Sequence, residues 1–290
     1  MGRDLVEAEP AAGAVFASAD EQLGYALSTL CFEGPDEALT DTAVQQPALF
    51  TTSLAAWAVM GARGQTPPAF VAGHSLGEFS ALAAAGALTF HDGLALVQRR
   101  GELMKCAGTE QAGGMAAVLG LDAAQVADVC AAAAQTTGHV VQVANDNCPG
   151  QIVISGHVAA LEAAMALLPD AGARKVVRLS ISIAAHSPLM ASAAADFAQA
   201  VDATPITAPA IPVIANVTAR PLADPAAIRQ ELKDQLTSPV AWTATIQYLA
   251  GQGVDTYIET GPGDVLLGLV KRIDRNAQRI KFEVGAAQWT

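Results

Sequence analysis

No two of the four cysteines, Cys31, Cys106, Cys130 and Cys148, stand at Cys-x-x-Cys spacing. That removes a zinc site and a redox dithiol from the expected chemistry. Positive charge is scarce: 16 lysines and arginines face 28 acids in 290 residues, a net charge of −12. Nucleic acid is therefore not an expected partner. No apolar run reaches the length of a membrane span without a glycine, proline or charge, so no membrane association is expected. The first residues include Arg3, Asp4 and Glu7 and hold no apolar signal core. These absences predict a cytoplasmic chain in a reducing compartment, with no metal.

Apolar residues are abundant, at 52% against 15% charged, which predicts a sizeable buried core. The length suits one medium domain, or a larger one carrying a smaller. Short apolar runs alternate with helical patterns. A strand over 69–73 feeds a helix over 76–85, and a second helix covers 92–105. Strands are expected over 211–217, 254–260 and 279–284, with a turn and helix between the last two. This alternation predicts an α/β core with a mostly parallel sheet flanked by helices. The middle of the chain differs. Its strands and helices follow the order β-α-β-β-α-β, with an Asn-Asp-Asn-Cys-Pro-Gly turn between the central strands and a last strand over 174–183. That is a ferredoxin-like unit. The expected division is a discontinuous core, 1–109 and 181–290, with an inserted small subdomain at 110–180.

Phe70–Gly86 contains Gly73-His74-Ser75-Leu76-Gly77 at the strand-to-helix joint. Such a joint forms a nucleophile elbow, in which a tight turn lifts the serine hydroxyl above the sheet. The Leu76 N–H, at the start of the helix, can then face a developing oxyanion. The other reading is a plain helix cap, with Ser75 and Glu78 as a capping box.

A serine nucleophile needs a base. Val177, Leu179, Ile181 and Ile183 alternate toward His186, and Ser187-Pro188 can start a helix just after it. His186 is thus expected on a strand-to-helix loop, the end of a parallel sheet where sites form, or is simply a satisfied loop histidine. The other four histidines read as helix-start, strand-start or outward-facing residues. Arg100 falls within the apolar stripe of its helix, beside Leu96, Val97 and Met104. A buried guanidinium needs an anion. That anion is either a structural partner such as Glu78 or Asp92, or a carboxylate on a substrate.

These residues carry a resemblance. QQPALF (45–50), GHSLGEFSAL (73–82), VQRRGELM (97–104), NDNCPGQIVISG (145–156), HSPLM (186–190), SPVAW (238–242) and ETGPGDVL (259–266) resemble the malonyl-CoA:acyl carrier protein transacylases and the related acyltransferase domains of polyketide synthases. The resemblance spans nearly the whole chain. It implies a hydrolase-like core with the inserted ferredoxin-like subdomain. It implies Ser75 as nucleophile, His186 as base, Arg100 as the seat of the malonyl carboxylate, and the Gln235 main-chain carbonyl as the group that orients the histidine. It also implies malonyl-CoA and acyl carrier protein as partners, with coenzyme A thioester as substrate and no bound cofactor.

There are two departures. Relatives open with a strand and a GQGSQ loop whose first glutamine completes the oxyanion hole, whereas this chain begins at Met1-Gly2-Arg3. Either that segment is encoded just upstream of Met1 or the chain is shortened. Ala184 and Ala185 precede His186 where relatives carry a larger or polar residue, which implies a roomier acyl pocket. The expected reaction is ping-pong malonyl transfer by a monomer. The alternatives are a serine thioesterase or carboxylesterase, and a non-catalytic homologue that only binds the carrier. Acyl carrier proteins are acidic, so an acidic enzyme needs a local basic patch to dock one. Arg174/Lys175/Arg178 and Lys271/Arg272/Arg275 are the candidates.

Overall fold

Acidic and hydroxyl side chains set the starts of several helices in the computed structural model, which describes residues 1–283. The chain opens with α1 (Arg3–Ala8), α2 (Pro10–Leu23), α3 (Leu27–Glu33) and the long α4 (Thr42–Ala62). Then come β1 (Val71–Ala72), α5 (Gly77–Ala84) and α6 (Phe90–Glu110). The Asp41 carboxylate caps α4 by accepting from the Ala43 N–H, and the Thr89 hydroxyl caps α6 by accepting from Asp92.

The middle of the chain gives β2 (Gly113–Leu119), α7 (Ala123–Thr137), β3 (Val141–Cys148), β4 (Gln151–His157), α8 (Val158–Leu167) and β5 (Lys175–Arg178). Asp122 and Gln125 form a full capping box at α7. The four strands make one antiparallel sheet in the order β3-β4-β2-β5. Alternation along β2 divides its contacts. Ala116 and Val118 join Val126, Ile154 and Leu161 in a cluster beneath α7 and α8, while Met115 joins the main core. The sheet is therefore covered on both faces.

The chain then continues through α9 (Ala191–Ala203), β6 (Val213–Ile214), β7 (Pro221–Leu222), α10 (Pro225–Asp234), α11 (Trp242–Gly251), β8 (Thr256–Glu259), α12 (Val265–Ile273) and β9 (Gln278–Lys281). The main core gathers Phe16, Phe50, Phe79, Leu94, Val97 and Phe197.

Four sequence expectations need correction. The mostly parallel sheet is not one sheet: β1–β6 and β8–β9 are separate parallel pairs, and β7 runs antiparallel to β6. The strand expected over 211–217 shrinks to two residues, because Pro212 has no N–H to give and Asn216 turns to other partners. The central hairpin is tighter than a six-residue turn. β3 runs through to Cys148, which pairs with Gln151, and only Pro149-Gly150 make the turn. The strand expected up to residue 183 stops at Arg178, and Val177 and Ile181 are exposed. Val284, in the last expected strand, and the rest of 284–290 lie outside the described residues.

Candidate active site

The chain turns from β1 into α5 within four residues. A Cβ on Gly73 would lie 2.0 Å from the Gly77 carbonyl, so the close approach requires glycine. Ser75 takes a left-handed backbone, φ +51°. That conformation is costly for a residue with a Cβ and persists only when surrounding groups enforce it. Asn216, just past β6, does so. Its Oδ1 accepts from the Ser75 N–H (2.6 Å), and its Nδ2 donates to the Gly73 carbonyl (2.7 Å). The capping-box reading of Ser75 is overturned. Helix α5 has no side-chain cap, and the buried Glu78 accepts instead from the Asn216 N–H (3.0 Å) and from the Gln235 side chain. The Leu76 N–H has no protein acceptor among the described residues.

His186 is not at the end of a parallel strand, because β5 is antiparallel and ends eight residues earlier. An irregular stretch delivers it, and a left-handed turn (φ +58°) aims it at Ser75. The Ser187 side chain accepts from the Leu189 N–H at the start of a short 3₁₀ turn, Pro188–Met190. His186 Nδ1 lies 2.9 Å from the Gln235 carbonyl and 3.2 Å from that of Ser238. Carbonyls only accept, so Nδ1 carries the proton and Nε2 is left as an acceptor. The Ser75 hydroxyl, 2.8 Å away, donates to that Nε2. Two carbonyl dipoles thus stand where a carboxylate would sit in a Ser-His-Asp arrangement.

Arg100 is 1% exposed and His186 3%, whereas Ser75 is half-buried. Arg100 donates through Nη1 to Gln46 Oε1 (2.8 Å) and through Nη2 to Gln235 Oε1 (2.9 Å) and Ser75 Oγ (3.1 Å). Its charge also lies over the Phe79 ring, 5.6 Å from the centroid. Among the described residues no carboxylate pairs with it, and its Nε has no partner. Asp92 bonds Thr89 instead. Among the described residues no carboxylate stands within salt-bridge distance of Arg100; Glu78 acts on it only at longer range, with the Gln235 side chain between them.

Burial brings Arg100 down to about 10, so it stays charged at neutral pH, with Glu78 opposing the fall. Burial, with the Arg100 charge second, lowers His186 to about 3. The imidazole is therefore neutral, the form a general base needs. Behind Gln235, burial and the neighbouring Glu231 hold Glu78 well above the usual carboxylate range. In the free protein, kcat/KM for an acyl thioester should stay flat from pH 8 down to about 5, with no limb near the ordinary histidine value of about 6.5. A midpoint near 6.5 would mean a water-exposed imidazole and would contradict this geometry.

Gln235 holds the constellation together: its carbonyl meets His186, its Oε1 meets Arg100, and its Nε2 meets the Ser75 carbonyl (3.0 Å). Sequence reasoning missed Asn216, Gln46 and the buried Glu231. Asn216 had a usable signal, since a polar residue directly after a strand parallel to β1 sits where α/β sites form. His74 points away from the serine, with Nε2 2.8 Å from Asn147 Oδ1 and its ring edge-on to Trp242. The Ala184 side chain stands beside Gly113 of β2. Among the described residues no cluster of His, Cys, Asp or Glu could hold a metal, and no helix is long and apolar enough to cross a membrane.

A hydroxyl that donates to a neutral imidazole, on an elbow beside a buried arginine, is an arrangement suited to acyl chemistry. The chain belongs to the acyl transferase domain family, whose model matches residues 1–289. It is 46% identical to the malonyl CoA-acyl carrier protein transacylase of Bacillus subtilis (strain 168), over 97% of this chain and 88% of the relative. Its structure matches that of the malonyl CoA-acyl carrier protein transacylase from Coxiella burnetii with a TM-score of 0.95 and 39% identity, over 97% of this chain and 89% of the other. It also matches a malonyl-transacylase solved in complex with its type II polyketide acyl-carrier protein, with a TM-score of 0.95 and 38% identity, over 98% and 92%.

Proposed function

We propose that this chain transfers a malonyl group from coenzyme A to the phosphopantetheine thiol of acyl carrier protein, through an ester on Ser75. One observation carries the reading: Ser75 Oγ lies 2.8 Å from a proton-accepting His186 Nε2 and 3.1 Å from the buried Arg100 guanidinium. The relatives named above act on malonyl-CoA and acyl carrier protein and support the same substrates.

His186 Nε2 takes the Ser75 proton as Oγ attacks the thioester carbonyl. The oxyanion faces the Leu76 N–H. The tetrahedral intermediate collapses, the C–S bond breaks, and the proton on His186 leaves with coenzyme A. The carrier thiol then gives its proton to His186 and attacks the ester, and Ser75 regains its hydrogen. Arg100 holds the free carboxylate throughout and so orients the reacting carbonyl. Coenzyme A is substrate and leaving group, and no cofactor enters.

This reading divides the chain into a hydrolase-like core, 1–109 and 181–290, and a ferredoxin-like subdomain, 110–180. The separate cluster beneath α7 and α8 supports that division. It takes the protein as a cytoplasmic monomer. For the acidic carrier, Lys271, Arg272 and Arg275 are one docking patch; with Pro149 they line a hollow of about 520 Å³, and Arg272 donates there to Gln151 Oε1 and to the Pro149 carbonyl. In the other patch Arg178 already pairs with Glu162 at 2.9 Å. Labelled malonyl-CoA incubated with holo acyl carrier protein should leave its label on the carrier. Release of free malonate alone would support the hydrolase alternative instead.

A further inference from the structure

His186 depends on more than its imidazole contacts. Its backbone is in the left-handed region, φ +58°, in a stretch with no strand pairing of its own. The Gln235 and Ser238 carbonyls that hold its Nδ1–H belong to a separate loop, 235–238, beyond α10. Two loops must keep register for Nε2 to stay on Ser75, and neither is a regular element.

The middle sheet reaches both. Gln142 lies on β3, opposite Ser155 of β4. Val141 before it points into the cluster under α7 and α8, so the strand's alternation turns Gln142 to the other face. There its Nε2 donates to the His186 carbonyl (2.9 Å) and reaches the Thr237 carbonyl at 3.5 Å. The same strand holds the second loop farther along. The Val240 N–H donates to the Ala144 carbonyl and the Asp146 N–H to the Val240 carbonyl, both at 2.9 Å. One amide group thus spans the loop carrying the imidazole and the loop carrying its acceptors.

We propose that Gln142 is a positioning residue that sets His186 by tying the main-chain carbonyls of His186 and Thr237 to the middle sheet. The inference rests on the reading of His186 as the base. Among the described residues the Gln142 side chain hydrogen-bonds to neither the elbow nor Arg100, so the effect should fall on the chemical step and spare binding.

The test uses the full chain with Gln142→Met, which keeps length but cannot donate, and Gln142→Glu, which turns an acceptor toward the two carbonyls. Gln142→Met should lower kcat for malonyl transfer about tenfold with KM for malonyl-CoA within about twofold, since small misplacements of a reacting group carry such costs. Gln142→Glu should lower kcat further. The His186 Nδ1–H resonance, slowly exchanging between two carbonyls in the parent protein, should broaden in both variants. Wild-type kcat in both variants, a loss confined to KM, or an unchanged Nδ1–H resonance overturns the inference. A parent protein that forms no ester on Ser75 overturns the acyl-transfer reading itself, and this inference with it.

Discussion

Ser75→Ala should abolish the covalent acyl intermediate and lower malonyl transfer by about 10⁶-fold, the scale seen when the nucleophile of a serine enzyme is removed. The physical basis is that the hydroxyl is the one group poised for attack. It sits on a left-handed elbow (φ +51°), is clamped by Asn216, and donates to His186. Alanine leaves Arg100 and the Leu76 N–H in place, so thioester binding should survive with little change in affinity. Intact mass after incubation with malonyl-CoA reads the result directly. The parent chain gains one malonyl group and the variant gains none. A variant that is still acylated would place the nucleophile elsewhere.

Arg100→Ala should cost malonyl-CoA about 10²–10³ in kcat/KM, because breaking a buried charge pair costs about 2–5 kcal/mol. The guanidinium also donates to Ser75 Oγ at 3.1 Å, so part of the loss falls on every acyl group. The ratio of malonyl to acetyl transfer is therefore the decisive measurement, and it should fall by at least tenfold. Arg100→Lys keeps the charge but loses the planar fork that serves Gln46 and Gln235 together, so it should recover only part of the preference. Equal losses for malonyl and acetyl groups would refute the carboxylate seat.

Local patterns carried much of the reading. The elbow is legible because its constraint spans five residues: only glycine fits at Gly73, against the Gly77 carbonyl. Arg100 is legible because helical periodicity alone places it on the apolar face of α6, where it is buried. Its environment is not legible, since Gln46 lies 54 residues and Gln235 135 residues away. His186 stands out for a reason the structure removes. The alternating run before it is no strand beyond Arg178, and the residue reaches Ser75 by a turn that no periodicity encodes. Glu78 looks like a helix-cap partner because its sequence neighbours suit that role, yet its buried partners come from Asn216 and Gln235.

By itself, the order of residues determined the glycine that permits the elbow and the inward face of α6, because each depends on neighbours within a few turns of the chain. Tertiary structure alone decided which nitrogen of His186 faces the serine, that Arg100 meets Gln46, Gln235 and Ser75 directly and no carboxylate, and that Asn216, Gln235 and Gln142 bind the site together. Those outcomes depend on hydrogen bonds between segments far apart in sequence, and a donor's partner is chosen by position in space.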